Sequence, residues 1–131
     1  MILLDTHVVV WLVADPGQLS AKAASAIRRA RANQGIALAA ISLWELALLF
    51  SRGRLRAPGT HEASVRWIVE GAGVSVRPIT LEVAVLAAQF PEDFPHDPAD
   101  RLIAATARAE GMTLITRDER IRESPLLRTL W

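Results

Sequence analysis

Cysteine is absent from the 131 residues, which excludes disulfides and thiolate metal sites, so any metal must be bound by oxygen or imidazole. That fits a reducing cytoplasm. Lysine is nearly absent too: Lys22 stands alone among fifteen basic residues, and the other fourteen are arginines, whose planar fork binds phosphate bidentately. The formal charge of +1 says nothing by itself about nucleic acid. Long hydrophobic runs are missing, since Val8 to Ala14 and Ile36 to Trp44 fall short of the roughly 18 residues that span a bilayer. No membrane role is expected. The N-terminal stretch has no basic flank and no small-residue cleavage site, and it carries Asp5 where a signal peptide would begin its apolar core, so secretion is not expected. Aromatics make up only 5% against 51% apolar residues, a composition suited to helix-on-sheet packing rather than an aromatic sandwich.

What is present reads as alternating strands and helices. Ile2 to Leu4 is a short buried strand, and Asp5-Thr6 leads into a helix through Trp11 to Ala14. Asp15-Pro16-Gly17 is a turn, Leu19-Ser20 opens an Ala- and Arg-rich helix to about Asn33, and Gly35 stops it. Ile36 to Ala40 is a second strand. Ser42-Leu43-Trp44-Glu45 has the spacing of a capping box that opens a helix toward Ser51. After a loop over Arg52 to Thr60, a helix runs from His61 to Glu70 and ends at Gly71-Ala72-Gly73. Val74 to Ile79 is a third strand, and Thr80 caps a helix through Gln89. Asp97 caps a helix with Pro98 at its first position, closed by Gly111. Thr113 to Thr116 is a fourth strand, and Leu126 to Trp131 adds a candidate edge strand. This order predicts an α/β fold: one domain over residues 1–131, three-layer α/β/α, with a mainly parallel central sheet of four or five strands.

Asp5, Asp100 and Asp118 fall at strand ends or helix starts on one edge of that sheet, and Glu45 makes a fourth acid there. Ligands bind outside the carboxyl ends of parallel strands, so these remote residues can converge in one pocket. Crowded carboxylates repel and shift upward in pKa unless a cation neutralises them. Mg²⁺ or Mn²⁺ is the natural partner, held by a few oxygens with positions left for water and phosphate. Each acid could equally cap a helix or face its dipole. Ser42 and Asp97 are read as the caps of their helices, which leaves Glu45 and Asp100 free.

Four blocks carry a resemblance: Leu3-Leu4-Asp5-Thr6-His7, Ile41-Ser42-Leu43-Trp44-Glu45-Leu46, Asp97-Pro98-Ala99-Asp100-Arg101-Leu102-Ile103-Ala104-Ala105, and Leu114-Ile115-Thr116-Arg117-Asp118. In this order they resemble the PIN family, in particular the toxin half of VapBC toxin–antitoxin pairs. The resemblance implies a metal-dependent endoribonuclease, with the acidic quartet at Asp5, Glu45, Asp100 and Asp118 and with Thr116 and Thr6 as supporting hydroxyls. It implies RNA as substrate, cleaved by metal-activated water to leave 5′-phosphate and 3′-hydroxyl ends. A VapB-type antitoxin and a homodimer are implied as partners.

Asp97 is both a candidate metal ligand and a helix cap, and His7 and His96 flank the pocket in sequence. Arg101 and Arg117, each next to a quartet acid, and Arg52, Arg54 and Arg56 form a candidate phosphate-holding rim. Arg28, Arg29 and Arg31 look like a solvated helix face. The helix holding Glu45 is otherwise apolar from Leu43 to Phe50, which predicts an exposed face for a second copy, with that surface or the one around Trp11 also receiving an antitoxin segment. Competing readings are a PIN scaffold that only binds and, on other folds, a phosphoacceptor or phosphatase domain. Lys22 falls in an early helix, away from where a phosphoacceptor module needs its lysine, and His7 stands where a haloacid-dehalogenase-like phosphatase would want its second Asp.

Overall fold

The computed structural model describes residues 1–131. Strand β1 (Ile2–Leu4) leads through Asp5 into α1 (Thr6–Ala14), and a 3-10 turn at Pro16–Gln18 precedes α2 (Ala21–Ala32). Then follow β2 (Ile36–Ala39), α3 (Ala40–Ser51), α4 (His61–Ala72), β3 (Ser75–Arg77), α5 (Leu81–Ala88) and α6 (Pro98–Ala109). The chain closes with β4 (Thr113–Ile115), the single turn α7 (Glu119–Arg122) and β5 (Thr129–Leu130). The sheet is parallel throughout, in the order β3-β2-β1-β4-β5. β1 is therefore the switch point, with β2 on one side and β4 on the other.

Alternation along the strands splits the interior in two. Leu3, Ala37 and Leu114 meet the α5–α6 side, with Val83, Ile103, Ala104 and Ile121. Leu4, Leu38 and Ile115 meet Val8, Val9, Ile27, Leu46, Phe50 and Ile68 of α1 to α4. Both faces of the sheet are covered, so its strands are apolar on both sides, as parallel strands require. This is the three-layer fold expected from the sequence, with five strands.

Several boundaries differ from expectation for physical reasons. α3 starts at Ala40, with Ala39 extended just before it and no side-chain cap, so the capping box does not form. Ser42 is instead the third helical residue, fully buried. α4 runs through Gly71 to Ala72 and stops at left-handed Gly73 (φ 69°). Gly71 lies inside the helix where α1 packs against it, and the close approach calls for glycine: a Cβ at this position would lie 3.1 Å from Val13 Cγ1. The third strand keeps only Ser75–Arg77 and the edge strand only Thr129–Leu130. The turn α7 was not anticipated.

α3 does not present the free apolar face expected of it. Leu46 and Phe50 are buried, Leu43 and Leu49 pack on the same core, and Trp44 is the large apolar residue of this helix left 56% exposed. The largest exposure lies elsewhere, at Leu81 (85%) on α5, near Ile79 and Val85.

Candidate active site

Asp5 follows β1 and its amide donates to the Ile115 carbonyl of β4 at 3.0 Å, so the first acid is fixed at the carboxyl edge of the sheet. Its two oxygens divide their work. Oδ1 caps α1 by accepting from the Thr6 amide at 2.8 Å, and Oδ2 accepts from the buried Thr116 hydroxyl at 2.7 Å. Thr116 Oγ1 in turn accepts from the Asp118 amide at 3.1 Å, so one hydroxyl sets the positions of two acids. Asp118 caps α7 through Oδ1, which accepts from the Arg120 amide at 2.9 Å.

Glu45 is placed by a different hydroxyl. Thr6 Oγ1 bonds Glu45 Oε1 and lies 2.8 Å from Ser42 Oγ. A hydroxyl has one proton, so Thr6 donates to the carboxylate and accepts from Ser42. Ser42 and Glu45 are one helical turn apart and share a face of α3. Asp97 caps α6, with Oδ1 accepting from the Ala99 amide at 2.8 Å, and Asp100 projects from the first turn of that helix.

These elements bring Asp5, Glu45, Asp97, Asp100 and Asp118 to the lining of one pocket of about 360 Å³. Burial pushes the Asp100 carboxyl from its ordinary 3.8 up to about 7, and the negative charges of Asp97, Asp5, Glu45 and Asp118 add to the rise. Asp5 is also raised by burial, opposed by the Thr116 hydroxyl, the Thr6 amide and His7. Glu45 is raised by burial and by Asp5 and Asp97, opposed by Thr6 and His7. The donor set is all carboxylate oxygen, which suits a hard divalent cation.

The remaining candidates separate. His7 and Arg117 line the pocket, and so does Trp11, which the sequence reading took only as apolar surface. Arg101 does not line it. Its guanidinium donates to the carbonyls of Pro95 (2.9 Å), Phe90 (3.0 Å), Pro91 (3.1 Å) and Phe94 (3.3 Å), and so orders the loop before α6 rather than a phosphate. His96 is likewise turned to the Glu92 carbonyl, 2.9 Å from Nε2. Arg52, Arg54 and Arg56 are exposed in the turn after α3, outside the pocket. Ser42 was read as a cap, although its spacing to Glu45 also allowed a shared helical face.

The PIN-domain sequence profile matches residues 2–125. The chain belongs to the PIN-domain family. Ribonuclease VapC22 of Mycobacterium tuberculosis is 40% identical over 132 residues, covering 99% of this chain and 98% of that protein. Solved structures carry the same PIN fold at low identity. VapBC2 from Rickettsia felis, bound to a DNA fragment from its promoter, aligns with TM-score 0.75 at 18% identity, over 99% of this chain and 98% of that one. DNA-bound VapBC from Salmonella typhimurium aligns with TM-score 0.72 at 21% identity, with the same coverage. No helix of this PIN domain is long and apolar enough to cross a membrane.

Proposed function

We propose that this PIN domain is a divalent-metal-dependent endoribonuclease and the toxin half of a VapBC-type pair, acting in the cytoplasm. The observation that carries the reading is the shared acidic pocket, where burial and four neighbouring acids raise the Asp100 carboxyl to about 7. Carboxylates so crowded favour either a proton or a cation. Asp5, Asp100 and Asp118 would hold Mg²⁺ or Mn²⁺, with Glu45 as a further ligand or as the group orienting water. When bound, the ion supplies water activation and neutralises charge on the phosphate.

The chain's own residues supply the positioning. Thr116 aims Asp5 and fixes the backbone of Asp118, while Thr6, backed by Ser42, aims Glu45. Asp97 adds negative charge beside Asp100 while capping its helix. Arg117 on the pocket wall offers a cation to the RNA backbone.

The relative of 40% identity is a named VapC ribonuclease, which supports RNA as substrate, and the VapBC likeness supports a VapB-type antitoxin as partner. A second copy of the chain would cover the exposed apolar residues of α5. The deciding experiment is cleavage of RNA in Mg²⁺ or Mn²⁺ by wild type and by Asp5→Asn. Metal-dependent products with 5′-phosphate ends, lost in the variant, are expected; full activity in Asp5→Asn would overturn the mechanism.

A further inference from the structure

The acidic pocket has a second kind of wall. Trp11 lies four residues after His7, on the same face of α1, with ring centroids 6.0 Å apart. Trp131 packs on Trp11 at 5.8 Å, with the planes tilted by 56°. The Arg117 guanidinium lies over the Trp11 ring, its carbon 5.6 Å from the centroid, in a cation–π contact. Arg117 is exposed, and the chain's ion pairs do not include it.

Trp11 is only partly buried: it leans on the apolar cluster of α1 to α4 and also lines the pocket. Core packing accounts for the first contact and not for the second. A braced aromatic plane with an exposed guanidinium resting on it, bound to no carboxylate and able to swing off the face, is the pairing that single-stranded nucleic acid uses, the ring for a base and the cation for the backbone. Carboxylates and a metal can grip a phosphate anywhere along a strand. A stacked base fixes which phosphate is gripped.

We propose that the Trp11 indole, braced by Trp131 and flanked by Arg117, is the platform on which an unpaired RNA base stacks next to the cleaved phosphodiester, with Arg117 taking a neighbouring phosphate. This rests on the ribonuclease reading of the acidic pocket. An arginine-bearing peptide would be drawn to the same acids, yet it would meet the positive charge of Arg117 beside the ring, whereas RNA brings a phosphate there.

The test uses a fluorescently labelled single-stranded oligoribonucleotide, with binding read by anisotropy in Ca²⁺ and cleavage kinetics in Mn²⁺. Trp11→Leu, which keeps apolar bulk but no aromatic plane, weakens binding and raises KM by about tenfold with kcat nearly unchanged, and Trp11→Phe recovers most of the loss. An abasic nucleotide beside the cleaved bond weakens wild type by a similar factor and adds little in Trp11→Leu. Because the abasic substrate probes unaltered protein, it answers even where Trp11→Leu melts early. Full affinity of wild type for that substrate, with cleavage intact, overturns the platform and leaves the ribonuclease reading standing. Wild type that neither binds nor cleaves RNA overturns both. Unchanged RNA affinity in Trp11→Leu with lost binding of an arginine-bearing peptide assigns the ring to a protein ligand and also overturns the proposal.

Discussion

Thr116 donates its hydroxyl to Asp5 Oδ2 at 2.7 Å across a sequence separation of 111 residues. The bond joins the ends of two adjacent parallel strands, β1 and β4, and the Thr116 hydroxyl oxygen accepts from the Asp118 amide. Thr116→Val is therefore expected to cut metal-dependent RNA cleavage by roughly 10- to 100-fold, as loss of a group supporting a metal ligand usually does. Thr116→Ser, which keeps the hydroxyl, should recover most of the activity. Wild-type activity in Thr116→Val would show that Asp5 needs no such support.

Metal should stabilise the folded chain. An ion that binds only the native state adds about 2.7 kcal/mol at a hundredfold excess over its Kd. Melting temperature is expected to rise on adding Mg²⁺ or Mn²⁺ over EDTA, and the rise should shrink in Asp100→Asn. An equal response in both proteins would remove Asp100 from the ligand set.

Without metal, pH should act against the fold in one direction. Asp100 holds its proton up to about 7 in the native chain and releases it near 3.8 when unfolded. Between those values the native state binds more protons, so stability falls as pH rises through the window and levels off above it. In EDTA the melting temperature is expected to drop by a few degrees from pH 5 to pH 8, tempered by the partial exposure of Asp100. Asp100→Asn should flatten the slope and melt higher than wild type at pH 8. A metal-free protein that grows more stable over this range would contradict the direction.

Apolar exposure directs the test of self-association. Leu81 stands 85% exposed at the start of α5, near Val85 at 47%, whereas Phe50 of α3 is buried and would unfold the chain if charged. Leu81→Asp is expected to turn a dimer into a monomer in sedimentation at micromolar concentration, with the melting temperature of the monomer preserved. Wild type that sediments as a monomer would refute the dimer.

The order of elements was legible because the local signals agree with the fold: Asp97-Pro98 starts α6, Thr80 and Ser20 cap their helices, and short apolar runs mark the central strands. Asp5, Asp100 and Asp118 were legible as candidates because each lies near the carboxyl end of a strand or the start of a helix, whereas Glu45 sits in the second turn of α3. Ser42 was not legible. S-x-x-E looks the same whether the serine precedes the helix or lies inside it, and the difference is set by where β2 stops pairing, at Ala39 opposite Arg77. The length of α4 was hidden for a similar reason, since Gly71 reads as a stop until Val13 is seen against it. Arg101 adjoins an acid in sequence, yet its direction depends on four loop carbonyls that only the folded chain assembles.

The central position of β1 has a consequence for the order in which the site can assemble. The strand at the middle of the sheet precedes both of its neighbours in the chain, and β4 with the acid beyond it follows only after α6. Until residues 113–118 have docked, one side of β1 is unpaired, Asp5 lacks the Thr116 hydroxyl and Asp118 is not in place. A chain carrying this activity therefore has no assembled site until β4 has paired with β1, so the chemistry is tied to the last step of closing the sheet around its central strand.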